Sequence, residues 1–231
     1  MDKAEFDKFA NEYHVLHARN ISASGEDPEF FSEYKVRDIQ AEMKRRGITP
    51  DSAVDFGAGV GNSLPWMRKY LPATKVTCLD VSERSLEIAS GRFPGQASFV
   101  SFDGGALPFD HPQFDLAYAM CVFHHIDPAE HVRLLAELRR VLRPNGVLAI
   151  FEHNPYNPLT VKAVNTCEFD ENAKLITARR MKKVCLEAGF TDIQIRYRIF
   201  FPRMFARLRV LEPYMVHLPL AAQYSIYASG I

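Results

Sequence analysis

Apolar positions along this chain follow two rhythms, and the change between them falls near residue 50. Between residues 28 and 46, Phe31, Tyr34, Ile39 and Met43 recur at helical spacing, Pro28 opens the segment and Gly47 stops it. A first candidate helix precedes this one, separated by the polar break Ser22-Ala23-Ser24-Gly25. From residue 52 short apolar runs take over. Ala53–Phe56, Lys75–Leu79, Ser98–Phe102, Phe114–Met120 and Val147–Phe151 read as strands, and the alternating Ile193–Tyr197 and Gln223–Ala228 as two more.

Helix signals fill the intervals. Pro65 suits a first turn after strand one, and Ser82 caps the helix after strand two. Asp127, Pro128 and Glu130 read as a cap, a first-turn proline and a box-like acid. The helix they open carries Leu134, Leu135, Leu138, Val141 and Leu142 on one side and ends in Arg139, Arg140 and Arg143 before Pro144-Asn145-Gly146. Further helices are expected near residues 158–167 and from Thr177, the second with Met181, Val184, Cys185 and Ala188 inward and Gly189 as its stop. Strands alternating with helices of this length imply a mostly parallel sheet covered on both faces. Residues 1–47 then form an N-terminal helical cap, and residues 48–231 the main domain, with acceptor-pocket elements in 153–220.

Composition narrows the partners. Among 231 residues, Lys+Arg and Asp+Glu each number 28, so no global field draws in nucleic acid or anionic membrane. Four separated cysteines make no C-x-x-C pair, which fits reduced thiols in a cytoplasm rather than zinc or a disulfide framework. Met1-Asp2-Lys3-Ala4-Glu5-Phe6 has no basic-then-apolar signal, and no apolar run approaches bilayer length. A cytoplasmic protein without a membrane span is expected. Arg196, Arg198, Arg203, Arg207 and Arg209 interleave with Tyr197, Phe200, Phe201 and Phe205, and strand alternation reads them as a solvated face.

The chemistry is expected at the carboxyl ends of the strands, where open α/β sheets bind ligands. Strand one ends in Asp55-Phe56-Gly57-Ala58-Gly59-Val60-Gly61-Asn62, a loop whose glycines permit a sharp turn and close ligand approach. The pyrophosphate fingerprint needs glycine where Asn62 stands. Strand two ends in Asp80, whose two oxygens suit the paired hydroxyls of a ribose; a helix-start acid is the bland alternative. Strand three ends in Asp103-Gly104-Gly105, either an acceptor for an adenine amine or a turn-initiating acid. Strand four delivers Cys121-Val122-Phe123-His124-His125-Ile126.

The ordered set Val54–Gly61, Asp80, Asp103-Gly104, Phe114-Asp115-Leu116 through His124-His125-Ile126, and Leu142–Leu148 resembles the class I S-adenosylmethionine-dependent methyltransferases over residues 50–155. The segment Phe151-Glu152-His153-Asn154-Pro155-Tyr156-Asn157-Pro158 resembles bacterial members acting on small molecules or saccharide-like acceptors. The family resemblance implies a Rossmann-like three-layer α/β sandwich with a mostly parallel seven-stranded sheet, and S-adenosylmethionine as cofactor, leaving S-adenosylhomocysteine. By that resemblance Asp55, Gly57, Ala58 and Gly59 lie against the methionine part, Asp80 holds the ribose, Val81 touches the adenine, and Asp103 and Gly104 meet its amine and ring. Cys121 flanks the cofactor on the substrate side, and Tyr13, in the N-terminal segment, closes over the methionine end.

Methyl transfer is an in-line displacement, in which orientation alone contributes roughly 7–11 kcal/mol in favourable cases. A hydroxyl acceptor also needs a base, for which His153 and His124 are the first candidates and His125 another. His124, Asp127, His131, Glu152 and His153 are close in sequence, but Asp127 reads as a cap and His131 as a helix residue, so no metal is expected from that set. The expected reaction moves a methyl group to an oxygen or nitrogen of a small-molecule acceptor. A nicotinamide-dependent oxidoreductase and a catalytically silent nucleoside-binding protein are the alternatives.

Overall fold

The computed structural model describes residues 24–167 and 170–230. Helix α1 spans Pro28–Arg46 and is opened by Asp27, whose carboxylate accepts from the Phe30 N–H at 2.8 Å. It ends at Gly47, whose φ of 70° is the left-handed cap a glycine adopts without strain. Strand β1 (Ser52–Phe56), helix α2 (Leu64–Tyr70), strand β2 (Lys75–Asp80), helix α3 (Glu83–Arg92), strands β3 (Ser98–Ser101) and β4 (Phe114–Met120), and helix α4 (His131–Val141) follow. Strand β5 (Leu142–His153), helices α5 (Pro158–Asn165) and α6 (Ala178–Glu187), strand β6 (Thr191–Arg198), helix α7 (Glu212–Met215) and strand β7 (Gln223–Ser229) complete the described order.

The seven strands form one sheet in the order β3-β2-β1-β4-β5-β7-β6. The pairs from β3 through β5 are parallel, and β7 runs antiparallel to both neighbours. Each face has its own core, because a strand sends successive side chains to opposite sides. Val54, Phe56, Ala117, Ala119, Leu148 and Ile150 pack with α4 and α6. Ala53, Leu116, Tyr118, Val147, Ala149 and Phe151 pack with α1, α2 and α3. The chain is therefore a three-layer α/β sandwich, and Ile39 and Val36 of α1, fully buried, belong to its second core.

Three local expectations are corrected. Asp127 does not cap α4: its side chain accepts from Ala129 N–H at 2.9 Å and its carbonyl from Glu130 N–H at 2.9 Å, closing a separate turn before the helix begins at His131. Leu142 and Arg143 leave the helix for β5, with Leu142 opposite Phe114 and the irregularity between Phe114 and Leu116 absorbing the turn at Asn145 (φ 65°). The arginines of β6 do not face solvent. Arg196 reaches Glu42 at 2.7 Å and Arg198 reaches Asp38 at 2.6 Å, both on α1, while Arg209 reaches Glu26 at 2.6 Å.

Candidate active site

The chain order along the sheet reverses at β1, which has β2 on one side and β4 on the other, and the glycine loop leaves β1 at this switch point. Gly57 has φ 74°, and a β-carbon there would meet Val122 Cγ1 at 2.6 Å, so glycine is demanded by backbone and neighbour together. Gly59 has φ 51°, but a β-carbon would meet nothing within 4 Å, so its face of the loop is open. The N–H groups of Gly57 and Ala58 both donate to Leu79 O, at 2.8 and 3.2 Å, lashing the loop to the end of β2.

Asp80 stands at that end, buried. One carboxylate oxygen accepts from Gly59 N–H at 2.8 Å and the other from Ser82 N–H at 2.9 Å. Two of a carboxylate's roughly four acceptor directions are thus used by the backbone. Val81, next along, borders the turn after β3: a β-carbon on Gly104 (φ 85°) would stand 3.9 Å from Val81 Cγ1. Asp103 is exposed and accepts from Gly105 N–H at 2.8 Å, the turn geometry weighed for it from sequence. Arg133 of α4 donates to Gly104 O at 2.8 Å and pins that turn in place.

Asp55 sits below the glycine loop, 4% exposed, and accepts from Ser63 Oγ at 2.5 Å; Ser63 in turn lies 3.2 Å from the Tyr118 hydroxyl. Burial pushes its carboxyl up to about 7, aided by the like charge of Asp80 and opposed by the Ser63 and Tyr118 hydrogen bonds. Tyr13 lies outside the described residues.

Cys121 follows β4 with φ 61°, rare for a residue with a side chain, and its N–H donates to Phe151 O at 2.8 Å. Its thiol receives Lys35 Nζ from α1 at 3.1 Å, with Gln223 Nε2 of β7 at 3.9 Å. Burial opposes ionisation, but the Lys35 ammonium and His153, which hydrogen-bonds the sulfur, outweigh it and bring the thiol down to about 6. Tyr34 on the turn of α1 beside Lys35 donates to Gln223 Oε1, so α1, β4, β5 and β7 all contribute to this corner.

Behind it lies a buried polar group. Glu152, at the end of β5, accepts from the N–H groups of Val122 and Phe123 at 3.0 and 2.7 Å, and its other oxygen meets His124 Nδ1 at 2.6 Å. His124 Nε2 lies 3.5 Å and His125 Nε2 3.3 Å from the same oxygen of Asp170. Burial disfavours a charged His124, yet Glu152 and Asp170 overcome it and raise this imidazole to about 10. His153 stands in front, its ring centroid 5.1 Å from that of His124. His131 Nε2 donates to Phe123 O and Ile126 O, at 3.0 and 3.1 Å, and serves the fold of this turn.

Gly57, Ala58, Gly59, Asp80, Val81 and Gly104 thus gather at three neighbouring strand tips, with Cys121, His124 and His153 at or just past the next two. Gln223 and Asp170 had no functional reading in the sequence, and Lys35 had one only as a member of the N-terminal segment expected to cover the cofactor and help build the acceptor pocket. Lys35 is a polar residue within an apolar stripe, a usable signal. Gln223 opens a strand, and Asp170 lies in an irregular stretch with no periodicity to place it.

This sheet order with a glycine loop at its switch point is that of an open α/β core whose ligands sit at the carboxyl ends of the strands. Residues 54–150 match the family model described as a methyltransferase domain. The chain is 29% identical to a demethylmenaquinone methyltransferase of Thermotoga maritima over 66% of its length and 61% of the relative's. It is 34% identical to a trans-aconitate 2-methyltransferase of Variovorax paradoxus over 70% of its length and 55% of the relative's. The chain thus spans about three fifths or less of these relatives. A solved methyltransferase of Thermotoga maritima, described as a possible histamine N-methyltransferase, shares the fold with a TM-score of 0.70, 19% identity and 99% coverage of both chains. A phosphoethanolamine N-methyltransferase of Haemonchus contortus, solved with S-adenosylmethionine bound, superposes with a TM-score of 0.65 at 16% identity, covering 97% of this chain and 59% of that one. Residues 54–150 thus match a methyltransferase domain, on a chain that shares the fold of solved S-adenosylmethionine-dependent methyltransferases.

Proposed function

We propose that the protein transfers the sulfonium methyl of S-adenosylmethionine to an oxygen or nitrogen of a small-molecule acceptor in the cytoplasm. The observation that carries this reading is the Asp80 carboxylate bonded to Gly59 N–H at 2.8 Å, which ties the tip of β2 to the open face of the glycine loop. Asp80 holds the ribose, Val81 and Gly104 border the adenine, and Asp103 accepts from its amine. Asp55, Gly57, Ala58 and Gly59 receive the methionine part, and residues 1–47 act as the cap, with Tyr13 closing over it.

The acceptor side is formed by Cys121, Lys35, Gln223 and His153. His153 is the proton acceptor in this reading, an imidazole beside Cys121 with its ring centroid 5.1 Å from that of His124. His124, candidate base from the sequence, has carboxylates on both ring nitrogens and takes the role of positioning His153. Arg196, Arg198 and Arg209 are engaged by acids of this chain, which supports a small acceptor over nucleic acid. No described helix is long and apolar enough to cross a membrane.

The test is a methyl-transfer assay with labelled S-adenosylmethionine against pools of hydroxy, carboxylic and amino acceptors. Transfer in wild type, lost in His153→Ala with S-adenosylhomocysteine binding retained, supports the reading. Cofactor binding with no transfer to any pool identifies a silent nucleoside-binding protein instead.

A further inference from the structure

His124, His125 and Asp170 form a donor set that the methyl-transfer reading does not use. Their ligating atoms all lie within 4.8 Å of one another, and all three side chains are largely withdrawn from solvent. The two imidazole Nε2 atoms converge on a single carboxylate oxygen, at 3.5 and 3.3 Å. Those separations are long for charge-assisted hydrogen bonds, which run about 2.7–2.9 Å. They match the ligand–ligand edge of a tetrahedral ion, roughly 3.3–3.5 Å when bonds to nitrogen and oxygen are about 2.0–2.2 Å. The same imidazole makes a short bond where it has a hydrogen-bond partner, 2.6 Å to Glu152.

Glu152 supplies the independent observation. Buried, and fixed by the N–H groups of Val122 and Phe123, it takes His124 Nδ1 and turns Nε2 toward Asp170 and His125. A carboxylate behind a ligating histidine is how protein metal sites fix the tautomer and aim the ring. We propose that His124, His125 and Asp170 bind a divalent transition metal of the zinc class, with Glu152 as its outer-sphere support. Two imidazoles and one carboxylate suit zinc or cobalt and are poor ligands for magnesium or calcium, which prefer all-oxygen shells. Three protein ligands leave a position for water or an acceptor oxygen, as in catalytic zinc sites. The ion takes the place of the Nε2 proton of His124. This set differs from the one weighed in the sequence, where Asp127 and His131 stood in the place of His125 and Asp170.

The experiment uses the full chain, freed of metal by a chelator and then titrated with Co2+ alone, followed by ligand-field absorption and by displacement with Zn2+. One equivalent should bind, with the bands of a four- or five-coordinate site. His125→Ala and Asp170→Asn should weaken binding at least about tenfold, Glu152→Gln by about 10–100-fold, and the exposed His111→Ala not at all. Circular dichroism confirms that each variant is folded. Wild-type protein that takes up no stoichiometric Co2+, or folded His125→Ala and Asp170→Asn variants that bind as wild type does, would overturn the proposal. Because the metal alone is the probe, its failure leaves the methyl-transfer reading standing.

Discussion

Lys35 on α1 places its ammonium 3.1 Å from the sulfur of Cys121 at the tip of β4, bringing together two residues 86 apart in sequence. With His153 on the same sulfur, the thiol titrates at about 6 against an ordinary value of 9.0. The thiolate fraction therefore rises through pH 6, and the alkylation rate with iodoacetamide should reach half its plateau there. Lys35→Met should move that midpoint upward. Rates read by mass spectrometry at Cys121 check this, and a wild-type midpoint near 9 would remove the pairing.

Gly57 and Gly59, two residues apart, should fail differently when each becomes alanine. Both pay the left-handed cost of about 1–2 kcal/mol. Gly57→Ala also drives a β-carbon to 2.6 Å from Val122, overpacking that adds about 1–3 kcal/mol, so it should lower the melting temperature most. Gly59→Ala meets no protein atom within 4 Å and should lose S-adenosylhomocysteine affinity with the smaller loss of stability. Thermal melts and calorimetry together separate the two.

The sheet was legible in this sequence because its strands are short apolar runs bounded by caps and glycines: Pro28, Gly47, Ser82, Thr177 and Gly189 each mark a boundary close to where the structure has it. The meeting of the glycine loop with Asp80 was legible for the same reason, since loops at parallel strand ends follow from strand order. Asp127 misled because a cap and an isolated turn use the same side-chain bond to the backbone. Arg196 and Arg198 misled because alternation says which residues share a face, not what covers it. Tertiary packing alone brings Lys35 of α1 and Gln223 of β7 to Cys121, and Asp170 of an irregular segment to His124 and His125.

Glu42, fully buried on α1, is bonded by Arg45, Arg46 and Arg196, which hold its carboxyl down to about 2 against burial. Removing that charge takes the shared carboxylate from Arg46 and Arg196, both half-buried, so Glu42→Gln should lower stability by about 1–3 kcal/mol by denaturant unfolding. The folded value lies below the ordinary 4.5, so this stabilisation is complete above about 4.5 and fades as the pH falls from there toward 2. The variant should lack that acid limb. Equal unfolding of both proteins at pH 7 would deny the network its role.

Asp55 has the opposite sign. Its carboxyl is raised from 3.8 to about 7 in the fold, so the folded chain holds the proton more tightly and stability declines as the pH climbs between those values. Asp55→Asn should flatten that decline, melting above wild type at pH 8 without cofactor, while binding S-adenosylhomocysteine more weakly. A lower melt at pH 8 would contradict the assignment.

The convergence of the first three strand tips on one adenosyl ligand is tested most directly by calorimetry of S-adenosylhomocysteine with wild type and Asp80→Asn. Hydrogen bonds to a charged group contribute about 1.5–3 kcal/mol, so wild type should bind one equivalent and the variant should bind about 10–100-fold more weakly. Equal affinity in a folded Asp80→Asn protein, or no binding to wild type, would contradict the account.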